Sequence, residues 1–309
     1  MGRNLALKLK QKSKVILGGR NNSINNLAQQ ITGCQVVPMD VANINSVREI
    51  VGIYKPNIII HAAATKYVDL SEIHPNECID INITGSQNIA RVAIDKAINT
   101  VIGISTDKAA LPCSGMYSMS KAIMERLFIL MDGVSNTRFC CQRMGNIAWS
   151  TGSVFPIWKR MLVEEGKIRA TGIDMRRFMF SISDATKMVE DVLENVPLLH
   201  GKILAKKMKA IRMEDVLHRF IDIYGGTYER ISPRIGEKME ESMIGTAEFK
   251  YTRNITINGS AYYLIDHQRE DLCDLTGPVN TLNVEQLTPE ELNDLIRRST
   301  PNVLPEFYS

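Results

Sequence analysis

The chain has 309 residues, with 37 Lys plus Arg against 34 Asp plus Glu and a formal net charge of +3. So even a balance lacks the clustered basic surplus of a nucleic-acid binder. Hydrophobic residues at 44% and charged residues at 23% exclude disordered and fibrous classes. No run approaches the ~18 apolar residues that cross a bilayer, and the amino terminus is charged and amphipathic without a signal-peptide core. A cytoplasmic protein with no membrane span is expected. The six cysteines (Cys34, Cys78, Cys113, Cys140, Cys141, Cys273) have no paired metal spacing, so free thiols and no metal site are expected.

In chain order, short apolar runs alternate with helical patterns up to about residue 200, which predicts parallel strands joined by helical crossovers. Strands are predicted at 14–19, 35–39, 57–64, 100–106 and 138–143, and helices at 4–12, 46–54, 76–98 and 116–131. Beyond residue 150 the pattern loosens into helices at 156–165, 184–195 and 212–224 and a strand at 202–206. Thr288, Pro289 and Glu291 form a helix start. The fold class expected is α/β, a Rossmann-like doubly wound parallel sheet. Residues 1–150 form its dinucleotide-binding domain, which also receives about 179–207. A smaller carboxyl-terminal substrate-binding region takes 151–178 and 208–265, and 266–309 is a peripheral tail.

Such a sheet opens with a strand running into a glycine-rich turn at a helix amino terminus. Here Met1, Gly2, Arg3, Asn4 and Leu5 read like the last glycine of that fingerprint and the first turn of its helix. The first strand and glycine turn are therefore expected to be missing, and Gly2 to be a cofactor contact; the alternative is an ordinary glycine beside the initiator. Arg20 follows the next strand, where a cofactor ribose is read, and an arginine there suits a 2′-phosphate. Asp40 and Val41 close the strand after it, where a carboxylate can receive the adenine amino group. Both positions also read as solvated turns.

Ser105, Thr106, Asp107 and Lys108 end a predicted strand, at the sheet edge where open parallel sheets bind ligands. Tyr117 and Lys121 follow four positions apart, on one helix face. A cation near a phenol, whose pKa is ~10 in water, favours the phenolate and suits it to general-base work. Alone, Tyr-x-x-x-Lys also reads as an exposed helix with a packed tyrosine; the upstream Ser-Thr-Asp-Lys favours chemistry. His61 reads as a packed strand residue.

Further segments fall in a specific order: His61-Ala62-Ala63-Ala64-Thr65-Lys66, Asn82 with Gly85-Ser86-Gln87-Asn88, Arg143-Met144-Gly145-Asn146, Gly152-Ser153-Val154-Phe155-Pro156, Asp174-Met175-Arg176-Arg177-Phe178 and Arg234-Ile235-Gly236-Glu237-Lys238. With the Thr-Asp-Lys and Tyr-x-x-x-Lys segments, the chain from Gly2 to about residue 250 resembles the extended short-chain dehydrogenase/reductases. Within them it is similar to the polysaccharide-biosynthesis UDP-N-acetylglucosamine 4,6-dehydratases of the flagellin-glycan and capsule branches.

The resemblance implies an NADP-dependent reaction without net oxidation, with NAD the less favoured cofactor, on UDP-N-acetylglucosamine or a similar UDP-sugar. It implies that Tyr117 takes the 4-hydroxyl proton as hydride leaves C4. Lys121 would bind the nicotinamide ribose and lower the phenol pKa, and Thr106 would bond near the 4-oxygen. Lys108 would remove the C5 proton, and Asp107 would protonate the departing C6 hydroxyl. The cofactor set comprises Gly2, Arg20, Asp40, Val41, Ala62, Ala63, Ala64, Lys66, Asn82, Tyr117 and Lys121. The substrate set comprises Lys66, Asn146, Val154, Arg177, Arg234 and Glu237, with Arg176 facing solvent. A homo-oligomer is implied as well.

The chain departs from the pattern in places. Tyr117 follows Asp107 by one position more than usual, and Met144 and Thr151 replace the usual tyrosine and arginine. The Met119–Glu125 run looks like the capsule branch, in which methionine replaces the tyrosine. Other readings are a catalytically impaired homologue serving as a binding or assembly subunit, and a nucleotide-sugar epimerase or reductase. The C5 stereochemical outcome is open.

Overall fold

A computed structural model describes residues 1–298. Its main sheet has six strands in the order Thr252–Ile257, Ser260–Ile265, Ile203–Lys206, Arg138–Met144, Thr100–Thr106, Ile58–His61. The last four run parallel and the first two add antiparallel. Ile16–Gly19 and Gln35–Pro38 form a separate parallel pair. The Thr100–Thr106 strand is buried at nearly every position, as its apolar sequence requires between two helical layers. Ile58, with a strand on one side only, is 41% exposed.

Two cores follow. The larger packs Val101, Ile102 and Phe139 of the sheet against Phe128 and Met124 on one face, and Met188 and Val192 come from a further helix. The smaller is aromatic: Phe155 stacks on Phe220 at 5.6 Å, with Trp158 edge-on to the same ring. Full burial of such side chains contributes about 1.5–3 kcal/mol each relative to exposure. Among the described residues no helix is long and apolar enough to cross a membrane.

Several boundaries differ from the sequence reading. The predicted strand 57–64 stops at His61, leaving Ala62 to Lys66 as a loop. The helix predicted at 76–98 is three pieces: Pro75–Cys78, a π-helical stretch Ile79–Thr84, and Gly85–Asp95. The widened turn carries Asn82, whose amide spans Thr65 and Ser120. A helix at Asn22–Thr32 is additional to the predicted elements; Ile24, Leu27, Ala28 and Ile31 give it one apolar stripe, Asn21 accepts the Ile24 amide as cap and Gly33 ends it at φ 65°. The expected tail is partly structural. The Thr288–Glu291 capping box opens a helix, Pro289–Arg297, whose Leu292, Leu295 and Ile296 fill the smaller core. Residues 299–309 of that tail lie outside the described residues.

Candidate active site

A cleft of about 480 Å³ opens at the carboxyl ends of the Ile58–His61, Thr100–Thr106 and Arg138–Met144 strands. Its chemistry starts where Thr100–Thr106 ends and a single turn, Asp107–Ala109, begins. The Thr106 hydroxyl donates to Asp107 Oδ1 at 2.8 Å and accepts the Lys108 amide at 3.5 Å. The Lys108 ammonium donates to Asp107 Oδ1 at 3.1 Å and lies 3.2 Å from Glu241 Oε1. Burial opposes its charge, but Asp107 and then Glu241 hold Lys108 above the usual lysine range. The second Asp107 oxygen and the Ser105 hydroxyl are buried without hydrogen-bond partners among the described residues.

Tyr117 enters from the helix Met116–Met131. Gly115 precedes it at φ 85°, and a side chain there would meet Glu72 Oε1 at 2.8 Å. That same oxygen accepts the Met116 amide at 2.6 Å, satisfying one of the helix's unpaired first-turn donors. This start turns Tyr117, not Met116, into the cleft despite the extra residue after Asp107. Burial pushes the Tyr117 phenol up to about 12, while Lys108 and a hydrogen bond to Thr106 pull the other way. Lys121 points at Ile104, donating to its carbonyl at 2.6 Å, and burial brings it down to about 8. Lys108 therefore pulls the phenol down, and Lys121 is held at the Ile104 carbonyl.

Of the expected cofactor residues, Ala62, Ala64, Lys66, Tyr117 and Lys121 line the cleft. Gly2 begins the helix Gly2–Leu9 with open space where a side chain would project, and Met1 lines the cleft beside it. Lys66 donates to the Thr151 carbonyl. Ala63 is exposed and outside the lining. Asn82 is buried in its own network behind the wall. Asp40 accepts the Ala42 amide at 3.0 Å, and Val41 packs against Gly85. Arg20 is exposed and faces Glu77 at 3.4 Å.

Across the cleft stand Asn146, Val154, Arg177, Arg234 and Glu237. Arg177 is buried, and its guanidinium meets the Arg176 carbonyl at 2.8 Å and Met175 Sδ at 2.8 Å, with no carboxylate at ion-pair distance among the described residues. Glu237 accepts the Arg234 amide at 2.9 Å, and the Arg234 guanidinium lies 3.9 Å from Asp69. Arg176 is outside, bonded to Gln286. Glu241 escapes the sequence reading. It sits between Glu240 and Ser242 in a segment without a strong pattern, and only the folded chain brings it to Lys108.

The profile of the polysaccharide biosynthesis protein family matches residues 7–259. The inverting UDP-N-acetylglucosamine 4,6-dehydratase of Campylobacter jejuni subsp. jejuni is 33% identical over 214 residues, which is 68% of this chain and 61% of that protein. The chain therefore spans less than two thirds of that relative's length. Pen from Bacillus thuringiensis superposes with a TM-score of 0.85 at 26% identity, covering 96% of this chain and 92% of that one. The UDP-glucose 4-epimerase of Thermus thermophilus in complex with NAD shares the fold, with a TM-score of 0.67, 15% identity, and 77% and 85% of the two chains covered.

The expectation of NADP is corrected here. Several solved structures of this fold, the Thermus epimerase among them, are NAD complexes. At Arg20, whose residue type suggests NADP, the exposed guanidinium faces the Glu77 carboxylate at 3.4 Å, so its charge is not free for a 2′-phosphate.

Proposed function

The chain belongs to the polysaccharide biosynthesis protein family, and on that premise we propose that it is a nucleotide-sugar 4,6-dehydratase, a lyase acting on UDP-N-acetylglucosamine or a similar UDP-sugar with NAD as cofactor. The observation that carries this reading is the convergence of Tyr117, Thr106 and Lys108 on one cleft, with Asp107 buried directly behind them in contact with Thr106 and Lys108.

The residues present fit a dinucleotide. Ala62 and Ala64 leave a shallow wall, Lys121 holds a cation over the strand end, and Met1, just before the Gly2–Leu9 helix, lines the cleft. A bound nicotinamide supplies the reversible hydride acceptor. The protein supplies the proton traffic. Tyr117 lines the cleft beside Thr106, whose hydroxyl donates to Asp107 Oδ1 at 2.8 Å, so Thr106 lies between the phenol and the carboxylate. As the phenol accepts the sugar 4-hydroxyl proton, its own proton passes through Thr106 to Asp107. Tyr117 then stays neutral before and after the step, which suits a phenol that burial holds up at about 12, and Asp107 becomes the acid that protonates the leaving 6-hydroxyl as water. Lys108, beside Asp107, is placed to remove the C5 proton that the 4-ketone acidifies and later to return it. Arg177, a buried cation without a carboxylate at ion-pair distance among the described residues, and Arg234 at the rim suit a diphosphate.

The test incubates purified protein with NAD and UDP-N-acetylglucosamine and analyses products by NMR. A 4-keto-6-deoxy sugar is expected. A C4-epimerised sugar with its 6-hydroxyl intact would replace this reading with an epimerase.

Self-association belongs to the same reading. Met119, Ile123 and Leu130 are exposed at helical spacing along the Tyr117 helix, and Leu70 and Ile73 are exposed on the neighbouring helix Val68–Ile73. An apolar stripe of that kind favours pairing with a second copy. Ile123→Glu should lower the mass measured by light scattering, and an unchanged mass would remove the stripe from the interface.

A further inference from the structure

Lys108 faces a second carboxylate that the reaction as described does not use. Glu241 is 3% exposed, lines the cleft, and lies 3.2 Å from the Lys108 nitrogen, which Asp107 meets at 3.1 Å. Its position is built by the fold. The Glu241 amide meets Thr281 Oγ1 at 3.3 Å, and the Thr281 amide returns to the Glu241 carbonyl at 3.0 Å. The strand that follows, Ser242–Ile244, pairs with Val279–Asn280, and Arg143 holds the Met243 carbonyl at 2.9 Å. A buried carboxylate fixed this firmly against a lysine costs desolvation free energy, which a solvated surface pair would not.

We propose that Glu241 is the proton acceptor that converts the Lys108 ammonium into a base, a positioning residue that acts through Lys108 without touching the sugar. The inference rests on the dehydratase reading above. In the resting pair Lys108 carries a proton and cannot take another. When substrate fills the cleft and excludes water, the neutral amine and carboxylic acid gain on the ion pair, because both charges lose solvation. One N–H bond of the ammonium breaks and an O–H bond forms on Glu241. The freed lone pair takes the C5 proton, leaving the C5–H electrons in the enolate. Asp107 gives its own proton to the leaving 6-oxygen. After hydride returns to C6, Lys108 reprotonates C5 and recovers its proton from Glu241, so the protein ends as it began. The charged or titratable groups facing Lys108 are Asp107, Glu241, Arg177 and Tyr117, and those facing Glu241 are Lys108, Asp107 and Arg177. Arg177 favours ionised Glu241, so the transfer is not permanent.

Two measurements on Glu241→Gln test this, with Glu241→Asp as the variant that keeps the acceptor. Protein carrying 13C-methylated lysines, with Lys108 assigned through Lys108→Arg, is titrated by NMR. The Lys108 midpoint should fall by at least about one pH unit in E241Q, about tenfold in proton affinity. Exchange of the sugar C5 hydrogen with D2O should drop about 100-fold near neutrality, then recover as pH rises and Lys108 loses its proton to solvent, while C4 oxidation, followed by nicotinamide absorbance, is retained. E241D should fall between the two. Exchange unchanged in amount and pH profile, or lost at every pH with the Lys108 midpoint unmoved, would overturn the proposal. If the wild type does not oxidise C4 at all, the dehydratase reading fails on its own, and an unmoved Lys108 midpoint still overturns this one.

Discussion

Arg143 and Glu248 meet as a fork on a fork: Nη1 donates to Oε2 at 2.8 Å and Nη2 to Oε1 at 2.8 Å, with both side chains almost fully buried. Glu125 closes the other side of the guanidinium, at 3.0 Å from Nε and 2.6 Å from Nη2. One side chain thereby joins the central Arg138–Met144 strand, the Tyr117 helix and the segment leading from Glu241. Replacing it by Met leaves two buried carboxylates without their cation, a loss of about 3–5 kcal/mol by the general cost of breaking a buried pair. Denaturant unfolding of Arg143→Met should show that loss, and Arg143→Lys, which cannot make both forks, should lie between it and the wild type.

Glu248 gives this clamp a pH dependence. Burial pushes its carboxyl up, but Arg143 and the Gly245 amide more than reverse that and hold it below the usual value of 4.5. A group whose folded pKa is depressed contributes stability above its unfolded pKa and loses it as pH falls through the folded pKa. Unfolding midpoints should therefore be flat from neutrality to about pH 5 as far as this group is concerned, and drop below 4.5. In Glu248→Gln the whole curve should lie lower and its acid limb should be shallower. A limb of equal steepness would assign the acid sensitivity to other carboxylates.

Much of this architecture is legible in the residues. The apolar Thr100–Thr106 and Arg138–Met144 strands announce a sheet covered on both faces, and the Tyr117 helix has its predicted limits. Tyr117, Thr106, Asp107 and Lys108 are contiguous or one loop apart, so local order brings them together. Glu241, Glu248 and Glu125 are not legible, because each acquires meaning from a partner far along the chain, at Lys108 or Arg143. The helix Asn22–Thr32 is within reach of the sequence: Ile24, Leu27, Ala28 and Ile31 recur at helical spacing between the Asn21 cap and Gly33, although the residues around them are polar. The NADP preference read at Arg20 rests on residue type alone, which does not reveal that a carboxylate, Glu77, stands 3.4 Å from its guanidinium.

Gly245 is a position where a single methyl should be decisive. A Cβ there would lie 1.7 Å from the Leu111 carbonyl oxygen and 2.7 Å from its nitrogen, backbone atoms with no rotamer to yield. The Leu111 carbonyl also accepts the Ala247 amide at 3.2 Å, so the two loops are tied where they touch. Gly245→Ala must separate the loop that leads into Tyr117 from the segment carrying Glu241 and Glu248. Thermal unfolding should show a loss well beyond the ~1 kcal/mol typical of point substitutions, and turnover should fall with it. A variant of wild-type stability would mean the loops part without strain.

The proton chain from Tyr117 through Thr106 to Asp107 makes a prediction that separates it from a simple phenolate mechanism. If the phenol acted alone, Thr106→Val would leave C4 oxidation largely intact, because the hydroxyl would only orient the sugar. In the chain, valine keeps the shape of the side chain but breaks the link between Tyr117 and the Asp107 oxygen that Thr106 reaches at 2.8 Å. Both Tyr117→Phe and Thr106→Val should then slow the first hydride transfer, by about 100-fold or more, the usual scale of a lost general acid or base. Asp107→Asn should do the same and abolish water loss as well. Stopped-flow nicotinamide absorbance reads the first step, and release of the 6-oxygen from labelled sugar reads the second. The distinguishing result is Thr106→Val: near wild-type C4 oxidation would break the relay and leave Tyr117 to work with the Lys108 cation beside it.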